Sequence, residues 1–143
     1  VSELNLGLLC FIPARAFESR VMEGLAAAGF DDVTLAQSRV FQRIGPNGTR
    51  LTDLAEQARV TKQTAAHLVD GLERAGYVER VPDPTDARAR LVRIAGRGRE
   101  AVAAARRIEA QIEAEWIAHL GKRDAAHLRR ILTRLREITD PYQ

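Results

Sequence analysis

Between Ala58 and Thr61 the chain has two residues, Arg59 and Val60, in which to finish one amphipathic helix and begin another. In LTDLAEQA the residues Leu54, Ala55 and Ala58 face one way, with Thr52 as the predicted cap. In TKQTAAHLVDGLERAG a cap at Thr61 opens a second helix with Ala65, Leu68, Val69, Leu72 and Ala75 on one side and Lys62, Gln63, Ala66, His67 and Asp70 on the other. Gly76 stands where a left-handed cap is wanted. Helix, tight corner, helix is the consequence.

YVERV and LVRI follow as predicted strands, Val92 and Ile94 alternating with Leu91 and Arg93, and Pro82, Asp83, Pro84 and Asp86 supply the turn between them. A helix-turn-helix followed by a hairpin is a winged helix. The expected fold class is therefore mainly α (α+β): a winged helix-turn-helix core over 34–99, flanked by helices over 4–29 and 98–140, within a single domain 1–143. Ahead of the core, VTLAQSRVFQRI predicts a short helix capped by Thr34, and GPNGT a turn. Leu6, Leu9, Pro13, Phe17, Val21 and Leu25 have the spacing of an amphipathic helix ending near Gly29. Pro13 leaves two readings: a helix that begins close to it, or a kinked extra turn before it. Behind the core, Val102, Ala105, Ile108, Ile112, Trp116 and Leu120 predict one long helix, and Leu128, Ile131, Leu132, Leu135 and Ile138 another.

With 143 residues, 45% of them hydrophobic, the chain can bury a real core. No apolar run approaches the roughly 20 residues of a membrane-spanning helix, and the start lacks a basic leader and a small-residue cleavage site. The expectations are no membrane partner and a cytoplasmic location. A single cysteine, Cys10, excludes an intrachain disulfide and a cysteine-based zinc cluster. Residues 61–99 hold 8 Lys/Arg and 5 Asp/Glu, whereas the remainder holds 14 of each, so the whole net charge of +3 sits in the helix-turn-helix and hairpin. A local basic block of this kind is the footprint of a polyanion site.

A helix-turn-helix presents the start of its second helix to the major groove of DNA. There Gln63 can read adenine bidentately, Lys62 can reach guanine or phosphate, Thr61 and Thr64 can donate to phosphate, and Ala65 and Ala66 permit close approach. The loop beside it offers Arg88 for the adjacent minor groove, where narrow A·T-rich DNA focuses negative potential. Asp86, two positions earlier, is expected to orient that guanidinium.

The stretch LTDLAEQARVTKQTAAHLVDGLERAGYVERVPDPTDARARLVRIAGRGREAV resembles the winged-helix core of the MarR-type (multiple antibiotic resistance regulator) transcription factors. The likeness lies in the leucine-alanine pair of the first helix, the threonine-rich start of the second, its leucine-glutamate-arginine-x-glycine close, and the DPxDxR hairpin. It implies that Thr61, Lys62, Gln63, Thr64 and His67 face the major groove and Arg88 the minor groove, with Arg90 on phosphate. Three positions depart from the family's pattern. Ala87 replaces the first of two adjacent wing arginines, Arg59 stands where the turn often has glycine, and Ala95 where a threonine commonly caps the next helix.

A core of this size cannot also cover the long flanking helices, so a second copy of the chain is expected to bury Leu6, Leu9, Leu128, Ile131, Leu132 and Leu135; an intrachain bundle is the alternative. The function expected is a sequence-specific DNA-binding transcriptional regulator, a repressor bound to a palindromic operator as a homodimer. The resemblance further implies release by a small aromatic or phenolic effector held between the dimerisation helices and the winged helix. LLCF in the first helix also resembles the hydroperoxide-sensing branch of that family, which makes redox sensing through Cys10 an alternative. The apolar run around Cys10 and the lack of a cation before Arg15 favour a buried packing residue instead. A winged helix used only to bind protein is the other alternative. No phosphate loop, nucleophile elbow or catalytic carboxylate pair occurs, and His67, His119 and His127 lack a metal-ligand pattern, so neither an enzyme nor a bound metal or cofactor is expected.

Overall fold

The elements run α1 (Leu6–Ala27), α2 (Leu35–Phe41), β1 (Thr49–Arg50), α3 (Leu51–Ala58), α4 (Lys62–Arg74), β2 (Val78–Asp83), β3 (Asp86–Ile94), α5 (Gly96–Leu120) and α6 (Lys122–Thr139). They come from a computed structural model that describes residues 2–142. The mainly helical winged-helix class read from the sequence is the one observed. The chain forms two units, one of the residues up to Val21 with those from Arg106 onward, the other Met22–Ala105.

In the unit Met22–Ala105, α2 starts on a complete capping box: the Thr34 hydroxyl accepts from the Gln37 amide, and the Gln37 side chain accepts from the Thr34 amide. α3 starts differently from the expectation. Its cap position is Arg50, extended and without a side-chain cap bond, and Thr52 lies inside the helix. The reason is β1, two residues paired to β3 as Thr49↔Val92 and Arg50↔Leu91, which delivers the chain straight into the helix. α3 ends on Arg59 in the left-handed region (φ 57°, ψ 46°), a conformation that costs a non-glycine residue roughly 1–2 kcal/mol. Two residues then suffice to turn the corner.

α4 opens on Thr61, whose hydroxyl accepts from the Thr64 amide, and it buries Ala65, Val69 and Leu72. Gly76 adopts the predicted left-handed conformation (φ 84°), and the Tyr77 amide returns to the Leu72 carbonyl at 2.9 Å. The three strands form an antiparallel sheet in the order β1-β3-β2. Val40, Ile44, Leu54, Val69, Leu72, Tyr77, Val78 and Val92 meet in one core, so each large side chain there is worth about 2–5 kcal/mol against alanine. Gly98 fits where nothing larger would: a Cβ would stand 2.2 Å from the Tyr77 carbonyl oxygen.

In the other unit, α1 begins at Leu6, so Pro13 is internal and the reading in which the helix starts near the proline does not hold. The ring removes the hydrogen bond that the Leu9 carbonyl would otherwise accept. Phe17 meets Trp116 edge-on with centroids 5.5 Å apart, Arg20 pairs with Glu115, and Ile112 is buried. α6 buries nothing, although Glu113 pairs with Arg129 along it. Leu6, Leu9, Leu128, Ile131, Leu132 and Leu135 are all exposed, as are Leu8, Phe11, Ile12 and Ile138. Cys10 is exposed too, where the sequence predicts burial, because no described residue of the single chain covers this stretch of the apolar face of α1. Among the described residues no helix is long and apolar enough to cross a membrane.

Candidate nucleic-acid interface

The start of α4 is polar and solvent-facing, ahead of an amphipathic body that buries Val69 and Leu72. Thr61, Lys62, Gln63, Thr64 and His67 are all exposed, and Ala66 is half-buried. The two threonines are not equivalent. The Thr61 hydroxyl donates to Thr64 Oγ1 at 2.9 Å, which leaves the Thr64 hydroxyl proton as the one free to leave the pair. The amides of Lys62 and Gln63 belong to the first turn, where a helix has no carbonyl of its own to offer them.

The hairpin is a bulged ribbon rather than a loose polar loop. β2 and β3 pair from Val78↔Ile94 to Pro82↔Arg90 and then resume at Asp83↔Asp86, so Ala87, Arg88 and Ala89 have no partner across the strand. A bulge re-aims the side chains it carries, and here the middle one is Arg88. Pro82, which has no amide to give, lies on β2 at the edge of the sheet, where a ladder donor is dispensable. Asp86 does hold Arg88, through the Arg88 backbone amide (3.0 Å to Oδ1), and not through the guanidinium as the sequence suggested.

A support the sequence reading missed is Asp83, the one buried charged residue among those described. Its Oδ1 accepts from both the amide (2.8 Å) and the hydroxyl (2.7 Å) of Thr85, and its Oδ2 accepts from Arg50 Nε (2.8 Å) and Nη2 (2.7 Å). The Thr85 amide, the Thr85 hydroxyl and Arg50 together hold the Asp83 carboxyl below the usual carboxylate range. The Asp-Pro-Thr turn carried a local signal. Arg50 carried none, since it is brought in from β1.

Within 61–99 the acidic side chains are consumed internally. Arg80 takes Asp70 (2.7 Å) and Glu73 (2.8 Å), Arg93 takes Glu79 (2.6 Å), and Asp83 and Asp86 face Arg50. Arg97 pairs with Asp32 (2.7 Å) while its guanidinium lies 4.6 Å from the Tyr77 ring centre, so it too is spent on structure. Arg99 donates to the Ile94 carbonyl. With Arg99, whose carbonyl partner does not neutralise it, the local positive surplus resolves onto four further cations, Lys62, Arg74, Arg88 and Arg90. Three of these four are residues the sequence singled out. Arg93, which shares their stretch of sequence, is neutralised across the hairpin.

In the terminal unit a groove of about 610 Å³ runs between Phe17, Trp116, Ile117, Leu120, Leu128 and Leu132. Its walls are apolar, and its lining also includes Lys122, Arg129 and Arg136.

An exposed helix start, a bulged hairpin and an uncompensated cationic surface on one small core define a winged helix-turn-helix protein. Residues 31–89 match the model described as MarR family, and the chain's winged helix-turn-helix is a MarR-family one. The solved structure of MarR is 25% identical, with a TM-score of 0.77, over 95% of this chain and 98% of that one. A transcriptional regulator from Thermotoga maritima, Tm0710, is 26% identical with a TM-score of 0.64, over 94% of this chain and 91% of its own. A variant of MepR from S. aureus, solved bound to an oligodeoxyribonucleotide, shares the fold at 19% identity and a TM-score of 0.61, over 96% of this chain and all of that one. No curated protein matches the sequence. The fold is shared with Tm0710, a transcriptional regulator, and with MarR, which supports a DNA-binding regulator.

Proposed function

We propose that the chain binds a palindromic DNA operator as a homodimer and represses transcription from it. Lys62, Gln63, Thr64 and His67 lie against the major groove, Thr61 orders the helix start behind them, and Arg88 enters the flanking minor groove with Arg90 on phosphate. The observation that carries this reading is that Lys62 at the start of α4, Arg88 in the bulge of the wing and Arg90 beside it have no acidic partner among the described residues, a property shared by Arg74 at the far end of α4. A surface evolved only for packing against protein has no need to keep Lys62, Arg88 and Arg90 free while pairing Arg80, Arg93 and Arg97.

The homodimer rests on the exposed apolar side chains of α1 and α6, since contiguous exposed apolar surface marks interaction sites. A two-fold dimer whose α4 helices stand about 34 Å apart, one turn of B-DNA, calls for an operator of two inverted half-sites. A small aromatic or phenolic effector would release the operator by binding one spacing of the two reading heads better than the other. Cys10, exposed on α1, keeps a second reading open in which oxidation of that thiol is the releasing event.

Titrating a duplex with the chain at increasing salt tests the DNA reading. Several phosphate contacts per dimer make affinity fall on the order of a thousandfold between about 50 and 200 mM salt. A chain that retains no duplex at the lowest salt is a protein-binding module instead.

A further inference from the structure

The acidic residue at the tip of β2 has a partner that belongs to neither strand of the wing. Arg50 ends β1 and stands directly before Leu51, the first residue of α3, so it is continuous with the helix-turn-helix. Its guanidinium reaches past β3, which pairs with β1 at Arg50↔Leu91, and closes on Asp83 at the far end of β2. Asp83 is in turn tied to both the amide and the hydroxyl of Thr85 in the two-residue turn. One buried carboxylate thus joins the tip of the hairpin to the strand that leads into the reading unit. The three residues that follow Asp86 have no strand partner, so nothing in the ladder fixes where the Arg88 bulge stands.

We infer that Arg50 and Asp83 form a latch that sets the position of the wing on DNA, making both of them positioning residues for Arg88. This rests on the DNA-reading function proposed above. The geometry is specific: the bond from Arg50 is bidentate onto one oxygen of a carboxylate whose other oxygen is saturated by the turn, so rotation of the hairpin tip breaks several charge-assisted bonds at once. Asp86 reinforces it, with Oδ2 4.0 Å from Arg50 Nη2 and Oδ1 on the Arg88 amide. Both of these acidic partners of Arg50 belong to the hairpin tip.

The test uses the intact chain, hydroxyl-radical footprinting on a duplex with A·T-rich flanks, and amide hydrogen exchange without DNA. In Arg50→Gln, a half-exposed position that tolerates the change, the Thr85 and Arg88 amides exchange faster while those of α4 do not. On DNA the variant loses protection of the minor-groove flanks, keeps that of the major groove, and binds about tenfold more weakly, the weakening of Arg88→Ala. Arg50→Gln combined with Arg88→Ala binds no more weakly than Arg88→Ala alone, because the latch acts only through the wing. Arg50→Lys restores part of the flank protection, and Asp83→Asn behaves as Arg50→Gln does. If Arg50→Gln keeps the wild-type flank footprint, or if the two losses add, the latch is wrong while the DNA reading stands. A wild-type chain that leaves no footprint at all overturns the DNA reading itself, and unchanged exchange at Thr85 and Arg88 overturns the latch without reference to DNA.

Discussion

The Tyr77 hydroxyl donates to Asp32 Oδ1 at 2.5 Å, joining the residue that opens the hairpin to the loop that precedes α2. The Tyr77 side chain is fully buried up to that oxygen, and Arg97 covers its ring while binding Asp32 Oδ2 (2.7 Å) and the Ala75 carbonyl (3.0 Å). One phenol therefore ties the end of α4, the start of the wing and the start of α5 to the segment before α2. Tyr77→Phe keeps the packing and loses one bond to a charged but solvent-accessible partner, so the expected cost is about 1 kcal/mol, read as a lower urea midpoint. Arg97→Ala is expected to couple with it: the double variant loses less than the sum of the singles.

Acid should weaken the fold through three carboxylates. Asp32 is held low first by the Tyr77 hydroxyl and then by Arg97, Asp83 by the Thr85 amide and hydroxyl and then Arg50, and Glu115 by Arg20. Each folded-state pKa lies below the unfolded one, so below about pH 4 the unfolded chain binds more protons. The stability they contribute is complete above the ordinary carboxylate range and is lost as pH falls through the folded values. Tyr77 works at the other end. Burial, and then the Asp32 carboxylate, raise its pKa, so its contribution is complete below about pH 10 and declines above it. Urea midpoints across pH should show both limbs, with the acid limb shallower in Asp83→Asn and the alkaline limb shallower in Tyr77→Phe.

Gly98→Ala should destabilise by roughly 1–3 kcal/mol or more, as overpacking does, although Gly98 sits in the first turn of a helix where alanine is ordinarily favoured. The clash is with the Tyr77 carbonyl and the Ile94 side chain (2.2 and 2.8 Å from the added Cβ), and the backbone atom cannot swing aside. A thermal midpoint that rises in this variant would contradict so close an approach of α5 to Tyr77.

Much of this is legible in the sequence, and the parts that are not share a cause. The capping threonines Thr34 and Thr61, the left-handed Gly76 and the apolar face Ala65, Val69, Leu72 are local signals, and the structure has them where the spacing puts them. β1 is two residues long and shows no alternation, so its residues read as part of a turn and Thr52 reads as a cap it does not make. Arg50 and Asp83, or Tyr77 and Asp32, are partners only after the sheet has closed, and no local pattern couples residues that far apart in sequence. The same holds for the cations. Lys62, Arg88, Arg90 and Arg93 look alike along the chain, and only the register Glu79↔Arg93 shows which of them is neutralised.

Substitutions at the interface should separate by role. Gln63→Ala is expected to relax base preference at one position of each half-site by about 1–3 kcal/mol of discrimination. Lys62→Ala should weaken all duplexes alike and reduce the salt slope by about one for each phosphate it ceases to neutralise. Arg88→Ala should act mainly at A·T-rich flanks. Binding to duplexes that differ at single positions, at two salt concentrations, distinguishes the three; equal and negligible effects from all of them would remove the site from α4 and the wing.

Charge placed on the open apolar face should dissolve the dimer and spare the monomer. Ile131 and Leu135 are exposed on α6, so Ile131→Glu with Leu135→Glu costs the isolated chain little and places two carboxylates in a buried seam of the assembly. Sedimentation should show a dimer for the wild type and a monomer for the variant, with the far-ultraviolet circular dichroism unchanged.

The most direct measurement is selection of bound duplexes from a random pool, with the stoichiometry of the retained complex determined on the winning sequence. The account predicts an inverted repeat whose half-site centres lie about one helical turn apart, bound by two chains. Recovery of no consensus, or of a single half-site bound by one chain, would contradict it.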